Sequence, residues 1–161
     1  MIISVLLNHS LSSSDKLSLI IPQIIAVLII LFLILPLHEL AHGWVAYKFG
    51  DRTAKNAGRL TFNPLVSIDP WGALMILLFG FGWARPVPVN PNNFKNPRVG
   101  MAVTAAAGPI SNFLAALIGA FIYVSVLVGS GFSVSQLSFG MELLWTFIAI
   151  NISLAAFNLI T

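Results

Sequence analysis

Three residues with metal-site chemistry stand within the segment 38–42 (HELAH), where His38 and His42 flank Glu39 and two apolar residues. On an α-helix, residues four apart lie on one face, so both imidazoles can reach one zinc ion at about 2.0–2.1 Å. Glu39 is rotated by about 100° from His38, so it is a poor ligand but a suitable general base for water that zinc has made acidic. The segment therefore predicts a Zn²⁺ ion bound by His38 and His42, with Glu39 as the catalytic residue.

The depth of this segment in an apolar helix also indicates function. A charged side chain near the middle of a membrane helix costs about 2.5–3.5 kcal/mol on insertion scales, so an intramembrane Glu39 is a functional-site candidate. Two alternatives stay open. In the first, the polar side chains hydrogen-bond neighbouring helices or lie at the membrane–water boundary. In the second, the two histidines form the metal site of a channel or carrier. The second alternative needs polar residues in other spans, where Glu142 is the candidate.

The composition places the chain in a lipid bilayer. Of its 161 residues, 58% are hydrophobic and 8% are charged, with a mean hydropathy of +0.94, whereas about a quarter of the residues of a soluble domain are charged. No cysteine is present, so a metal must be held by nitrogen and oxygen atoms. The composition predicts an all-α integral membrane protein with a single membrane-embedded, metalloprotease-like domain over residues 1–161.

The basic residues indicate topology rather than nucleic-acid binding. The net charge is only +3, and the basic residues do not cluster beside aromatic stacking surfaces. Seven of the eight lie between the first and third apolar runs: Lys48, Arg52, Lys55, Arg59, Arg85, Lys95 and Arg98. By the positive-inside rule, the loops that carry them are cytoplasmic.

Apolar runs of sufficient length predict about three full transmembrane helices, at about residues 19–47, 100–128 and 141–161. The first run has no signal-peptide cleavage site, so we expect it to stay attached. Pro36 precedes His38 by two residues and lacks a backbone N–H, so we expect a local kink there.

A fourth apolar stretch, residues 71–83, has 13 residues and three glycines, which is too short for a full crossing. We expect a re-entrant or interfacial segment over about residues 57–84. Turn-forming residues around 59–62 and 65–68 predict a small β-hairpin within it. Residues 59–62 could then receive an unwound substrate by strand addition, although simple turn geometry explains them equally well.

Three motifs together resemble the site-2 protease family of intramembrane zinc metallopeptidases (peptidase M50), in the compact form without a PDZ domain. They are HELAHG at residues 38–43, GRLTFNP at 58–64 with IDPWG at 68–72, and AGPISN at 107–112. The likeness is close from Pro36 to about Phe113 and looser elsewhere.

The resemblance implies a zinc endopeptidase that cleaves transmembrane helices of other proteins near the cytoplasmic face, in a bacterial inner (plasma) membrane. The expected partners are transmembrane protein substrates and the lipid bilayer, with no nucleic acid, and an oligomer is left open. The resemblance also implies that Asn112 supports the transition state or the substrate beside the metal. An equally favoured alternative is a helix-packing asparagine.

The sequence departs from the family at the third metal ligand. In the family this ligand is an aspartate of an Asp-Gly motif, preceded by a pair like Asn158-Leu159, and the sequence stops at Thr161 before such an aspartate. A catalytic zinc site needs three protein ligands. Asp69 is the best substitute geometrically, although a turn-forming role before Pro70 is favoured. Two functions therefore follow: an active zinc metalloendopeptidase, or a truncated, inactive relative that binds membrane helices or metal.

Overall fold

The computed structural model describes residues 1–130 and 139–160. Within them the chain folds mostly into helices. The α-helices are α1 (Ile2–Leu6), α2 (Ser13–Ile29), α3 (Leu35–Lys48), α4 (Thr53–Asn56), α5 (Pro64–Ser67), α6 (Pro70–Phe79), α7 (Pro97–Gly129) and α8 (Phe139–Ile160). A π-helical turn, Ile30–Ile34, joins α2 to α3, and a 3₁₀ turn, Pro91–Asn93, precedes α7.

The first long helix runs without interruption through α2, the π-helical turn and α3. Its distortion lies where the sequence predicts a kink. Because Pro36 has no N–H and its ring would collide with the carbonyl oxygen four residues earlier, a regular α-helix is strained there. The backbone widens instead, and the N–H of Leu35 bonds to the carbonyl oxygen of Ile30, five residues back. The π-helical turn thus ends where the helix that carries His38 begins.

Among the described residues, three helices are long and apolar enough to cross a membrane: Ser13–Lys48, Pro97–Gly129 and Phe139–Leu159. This agrees with an all-helical integral membrane protein with about three full spans. Helix α6 has 10 residues, so it is about 15 Å long and reaches half-way through a hydrocarbon core of about 30 Å. Its length suits a re-entrant or interfacial position, which stays a prediction.

The long helices pack side by side, with α8 against both α7 and α2, and α7 also against α3. Small residues allow close approach: a Cβ on Gly119 of α7 would lie 3.1 Å from the side chains of Phe147 and Ile148 on α8. The apolar core is built from α2, the π-helical turn, α3, α6 and α8: Val27, Ile30, Leu31, Ile34, Leu35, Ile76, Ile150 and Leu154. This packing brings α7 and α8 to the helix that carries the histidines.

The predicted β-hairpin is wrong. Residues 65–67 belong to α5, and the described residues contain one isolated antiparallel bridge, between Ile68 and Ala84. The physical reason is helix capping. The Asn63 side chain accepts a hydrogen bond from the N–H of Leu65 at 3.1 Å, and Pro64 occupies the first helical position. An Asn-Pro pair that reads as a hairpin turn therefore starts a helix.

Candidate metal centre

His38 and His42 point their rings at one another from successive turns of α3. Their Nε2 atoms lie 3.1 Å apart, and the ring planes meet at 78° with centroids 4.7 Å apart. His38 is almost fully buried, at 2% exposure, and His42 is partly buried. The helical spacing expected from the sequence therefore does bring the two imidazoles to a common point.

The second nitrogen of each ring faces an oxygen atom on α7. Nδ1 of His42 lies 2.7 Å from the carbonyl oxygen of Thr104, and Nδ1 of His38 lies 3.2 Å from Oδ1 of Asn112. A carbonyl oxygen can only accept a hydrogen bond, so Nδ1 of His42 donates to Thr104 and its Nε2 presents a lone pair. Oδ1 of Asn112 favours the same tautomer of His38. Two lone pairs at 3.1 Å repel unless a cation lies between them. The pair therefore fits a metal ion that prefers imidazole, and zinc is one such ion.

A glycine on α7 makes room for the two rings. A Cβ at Gly108 would overlap Nε2 of His42 and lie 2.6 Å from Cε1 and Nε2 of His38. Any larger residue would push the imidazoles away from each other. The carbonyl oxygen of Gly108 accepts a hydrogen bond from the Ser111 hydroxyl at 2.7 Å.

Glu39 is held by backbone rather than by another side chain. It is buried, at 5% exposure, and its Oε2 accepts a hydrogen bond from the N–H of Val87 at 3.0 Å. Val87 lies in the non-helical segment between α6 and the 3₁₀ turn. A carboxylate fixed by one N–H keeps a second oxygen that can exchange a proton.

One cavity of about 580 Å³ contains the three motif residues. Its volume lies within the range of ligand-binding sites. The other lining residues are mostly apolar and come from α3, the segment before the 3₁₀ turn, α7 and α8: Leu35, Trp83, Ala84, Pro86, Val87, Val89, Met101, Thr104, Ala105, Leu154 and Asn158. A short peptide segment could lie in such a cavity, with the polar groups at one part of its wall.

Asn158 is a cavity residue that the sequence reasoning treated only as a landmark for the third ligand. Its side chain lies close to His38, and its Nδ2 donates a hydrogen bond to the carbonyl oxygen of Leu154 at 2.8 Å. The sequence signal that could have indicated Asn158 as a site residue was its position as a polar residue within an apolar helix. The groups supplied by Thr104 and Val87 are backbone atoms, so no residue type could have indicated them.

Asn112 lies beside the histidine pair and contacts Nδ1 of His38, on the far side of the ring from Nε2. Its side chain is fully buried, and Nδ2 has no hydrogen-bond partner among the described residues. This contact suits an orienting role for the imidazole. The predicted support of the transition state or substrate by Asn112 stays a prediction.

The acidic residues considered as substitutes have other partners. Asp69 caps α6, with Oδ1 accepting from the N–H groups of Trp71 and Gly72 at 3.1 and 2.9 Å, in agreement with a local role before Pro70. Glu142 accepts a hydrogen bond from Gln23 at 2.9 Å. Within residues 1–130 and 139–160, no group of three or more His, Cys, Asp or Glu side chains is placed to hold a metal ion.

The chain is similar in sequence to known proteins. The family model described as Peptidase family M50 matches residues 26–149. YwhC from Bacillus subtilis (strain 168) is 44% identical over 140 residues, which cover 86% of this chain and 63% of YwhC. Rip2 from Mycolicibacterium smegmatis is 30% identical over 87 residues, which cover 51% of this chain and 33% of Rip2. The names of both relatives describe candidate zinc metalloproteases. The chain therefore spans less than two thirds of either relative. No solved structure matches it.

Proposed function

The chain belongs to peptidase family M50, and on that premise we propose that it is a zinc-dependent endopeptidase that hydrolyses peptide bonds of transmembrane proteins within or at the membrane. The observation that carries the proposal is the 3.1 Å approach of the His38 and His42 Nε2 atoms in a cavity that also contains Glu39. Two converging imidazoles supply two of the three protein ligands of a catalytic zinc site, and a nearby carboxylate can act as its general base.

The two histidines would hold the ion through Nε2. Thr104 and Asn112 support this by keeping the proton on each Nδ1, so that neither ring can turn its N–H toward the metal. When bound, zinc supplies Lewis-acid chemistry: it polarises a carbonyl group and makes a water molecule acidic enough to ionise near neutral pH.

Glu39 moves the proton. The Val87 N–H orients its Oε2, and the other carboxylate oxygen takes a proton from the attacking water. Glu39 then returns that proton to the nitrogen atom of the departing amine. The apolar cavity wall, which includes Leu35 and Leu154, limits the access of bulk water to the reacting groups.

The proposed location is a bacterial plasma membrane, with the metal centre toward the cytoplasmic side. His42 lies six residues before Lys48, which ends the first long helix, and the loops that follow carry most of the basic residues. Transmembrane helices of other proteins are the proposed substrates because they share this depth in the bilayer.

The test compares the wild-type chain with Glu39→Gln in proteoliposomes that contain a labelled transmembrane substrate and zinc. Glutamine keeps the shape and the acceptor for Val87 but cannot take a proton. We expect cleavage to fall at least about 100-fold, with zinc content unchanged. The control is Glu142→Gln, which removes a carboxylate away from the metal centre and should leave the rate unchanged.

Cleavage by Glu39→Gln at the wild-type rate would contradict the proposed role. A wild-type chain that binds zinc through His38 and His42 but cleaves no transmembrane substrate would instead support the alternative, a metal-binding relative without peptidase activity.

A further inference from the structure

The segment that contacts Glu39 is a stiff, extended strap, which we define as residues 85–90 (RPVPVN). Each of its two prolines has a fixed φ and restricts the residue before it to extended backbone. Such a segment rises about 3.1 Å per residue, so Val87 and Asn90 are separated by about 9 Å of nearly rigid backbone. A shift at either end of the strap therefore moves its middle.

The strap is fastened at its first residue by two hydrogen bonds. The N–H of Arg85 donates to the carbonyl oxygen of Ser67 at 2.8 Å, and its own carbonyl oxygen accepts from the Arg59 guanidinium at 2.6 Å. The middle of the strap meets Glu39 through the N–H of Val87. The position of the Val87 N–H therefore also depends on the contacts of Asn90, the last residue of the strap.

The last residue of the strap is held by Asp51. This side chain is fully buried and follows Gly50, whose φ of +108° turns the backbone at the end of α3. Oδ2 of Asp51 accepts the N–H of Asn90 at 2.8 Å. Oδ1 accepts the N–H and the hydroxyl of Thr53 at 3.0 and 2.5 Å, and Nδ2 of Asn93 at 2.7 Å.

Only a carboxylate suits this environment, because both oxygens of Asp51 accept hydrogen bonds and every partner is a donor. An asparagine in its place would set an NH₂ group against a donor on one side. The substitution would release either Asn90, at the end of the strap, or the pair formed by Thr53 and Asn93.

We propose that Asp51 is a positioning residue for the metal centre, which holds the strap so that the Val87 N–H stays on Glu39. The inference rests on the proposed function, since Glu39 is the group whose position it controls. Glu39 lies on α3, and Asp51 lies three residues after the last residue of that helix. The strap connects the two side chains through two backbone N–H groups, those of Val87 and Asn90.

A double-mutant cycle separates positioning from simple stabilisation. Asp51→Asn loosens the strap. Val87→Pro removes the N–H that reaches Glu39 and places a ring carbon on that nitrogen, while a third proline suits the extended backbone. We expect each variant to lower kcat at least about tenfold, with KM within about twofold and zinc content unchanged. Combined, the two substitutions should lower kcat no further than Val87→Pro alone. Additive losses would overturn the proposal.

Matched controls use the same chemical changes elsewhere. Asp15→Asn alters an exposed acid near the N-terminus, and Val87→Ala keeps the N–H while trimming the side chain. We expect Asp15→Asn to leave kcat unchanged and Val87→Ala to retain the coupling with Asp51→Asn. A loss of coupling in the Val87→Ala background would show that the valine side chain, not its N–H, carries the effect, and would overturn the proposal.

Amide hydrogen exchange gives a readout that does not need catalysis. A peptide covering the strap reports the N–H groups of Arg85, Val87, Val89 and Asn90, because Pro86 and Pro88 have none. In full-length chain in detergent, Asp51→Asn should speed exchange at Val87 and Asn90 at least about tenfold, and Asp15→Asn should not. Unchanged protection at Val87 would overturn the proposal even if the wild-type chain cleaves. Faster exchange would support it even if the wild-type chain does not, an outcome that contradicts only the proposed function.

Discussion

The Nε2 atoms of His38 and His42 lie 3.1 Å apart, and the second nitrogen of each ring faces an oxygen atom on α7. With the proton of each ring on Nδ1, this relationship is favourable when a positive charge sits between the two Nε2 atoms. It depends on two features at once: the four-residue spacing on α3, and the placement of two acceptors on α7. The arrangement therefore suits the metal site that we propose.

Removal of either ring should abolish metal binding. A single imidazole leaves one protein ligand of the pair, so we expect His38→Ala and His42→Ala each to bring the zinc content of the purified chain close to zero. Elemental analysis of the detergent-solubilised protein measures this. His9→Ala, in the exposed N-terminal tail, should retain wild-type zinc, and equal zinc in all the variants would place the metal elsewhere.

Gly108→Ala should damage the metal centre although it adds one methyl group to a helix. The new Cβ would overlap Nε2 of His42 and crowd His38, so the rings must move apart. We expect a large loss of zinc content while helix content by circular dichroism stays the same. Gly129→Ala is the matched control, because a Cβ there meets no atom within 4 Å. Full zinc retention by Gly108→Ala would contradict the geometry.

Asn112 offers a choice between orienting a ligand and binding the substrate. If it holds the His38 ring through Nδ1, Asn112→Leu should weaken zinc binding by about 10–100-fold. Asn112→Asp, which still presents an oxygen to Nδ1, should restore most of the affinity. Competition with a zinc chelator measures both. Unchanged affinity with a reduced kcat would favour the role in transition-state or substrate support instead.

Acid should weaken the contribution of Asp51 to stability. Burial raises the pKa of Asp51, but hydrogen bonds from Asn93, Thr53 and the Asn90 N–H outweigh it and lower the pKa below its ordinary value of 3.8. A group with a lowered folded-state pKa stabilises the fold above its unfolded-state value, and that contribution is lost as the pH falls through the folded-state value.

The measurement is the melting temperature in detergent of the wild-type chain and Asp51→Asn. We expect a constant difference from about pH 8 to about pH 5, and a smaller one below about pH 4. A difference that grows on acidification would mean that Asp51 is protonated in the folded chain.

The wrong prediction of a hairpin shows how a local sequence signal can be misread. Asn63-Pro64 and Asp69-Pro70 are turn signals, yet each is the cap and first residue of a helix. A side-chain oxygen followed by proline suits both uses. The choice depends on whether the following residues find helical partners and burial, as Ile76 of α6 does in the apolar core.

The sequence by itself determined the long apolar helices and the pairing of His38 with His42 on one helical face. Both are local properties: an apolar run long enough for a bilayer forms a helix there, and residues four apart on that helix share a face. Only the tertiary structure decided which groups complete the site. The Thr104 carbonyl and the Val87 N–H meet α3 from distant parts of the chain, and Asp51, just after the end of α3, meets the N–H of Asn90. Backbone groups are the same in every residue, so their roles follow from where packing places them rather than from residue type.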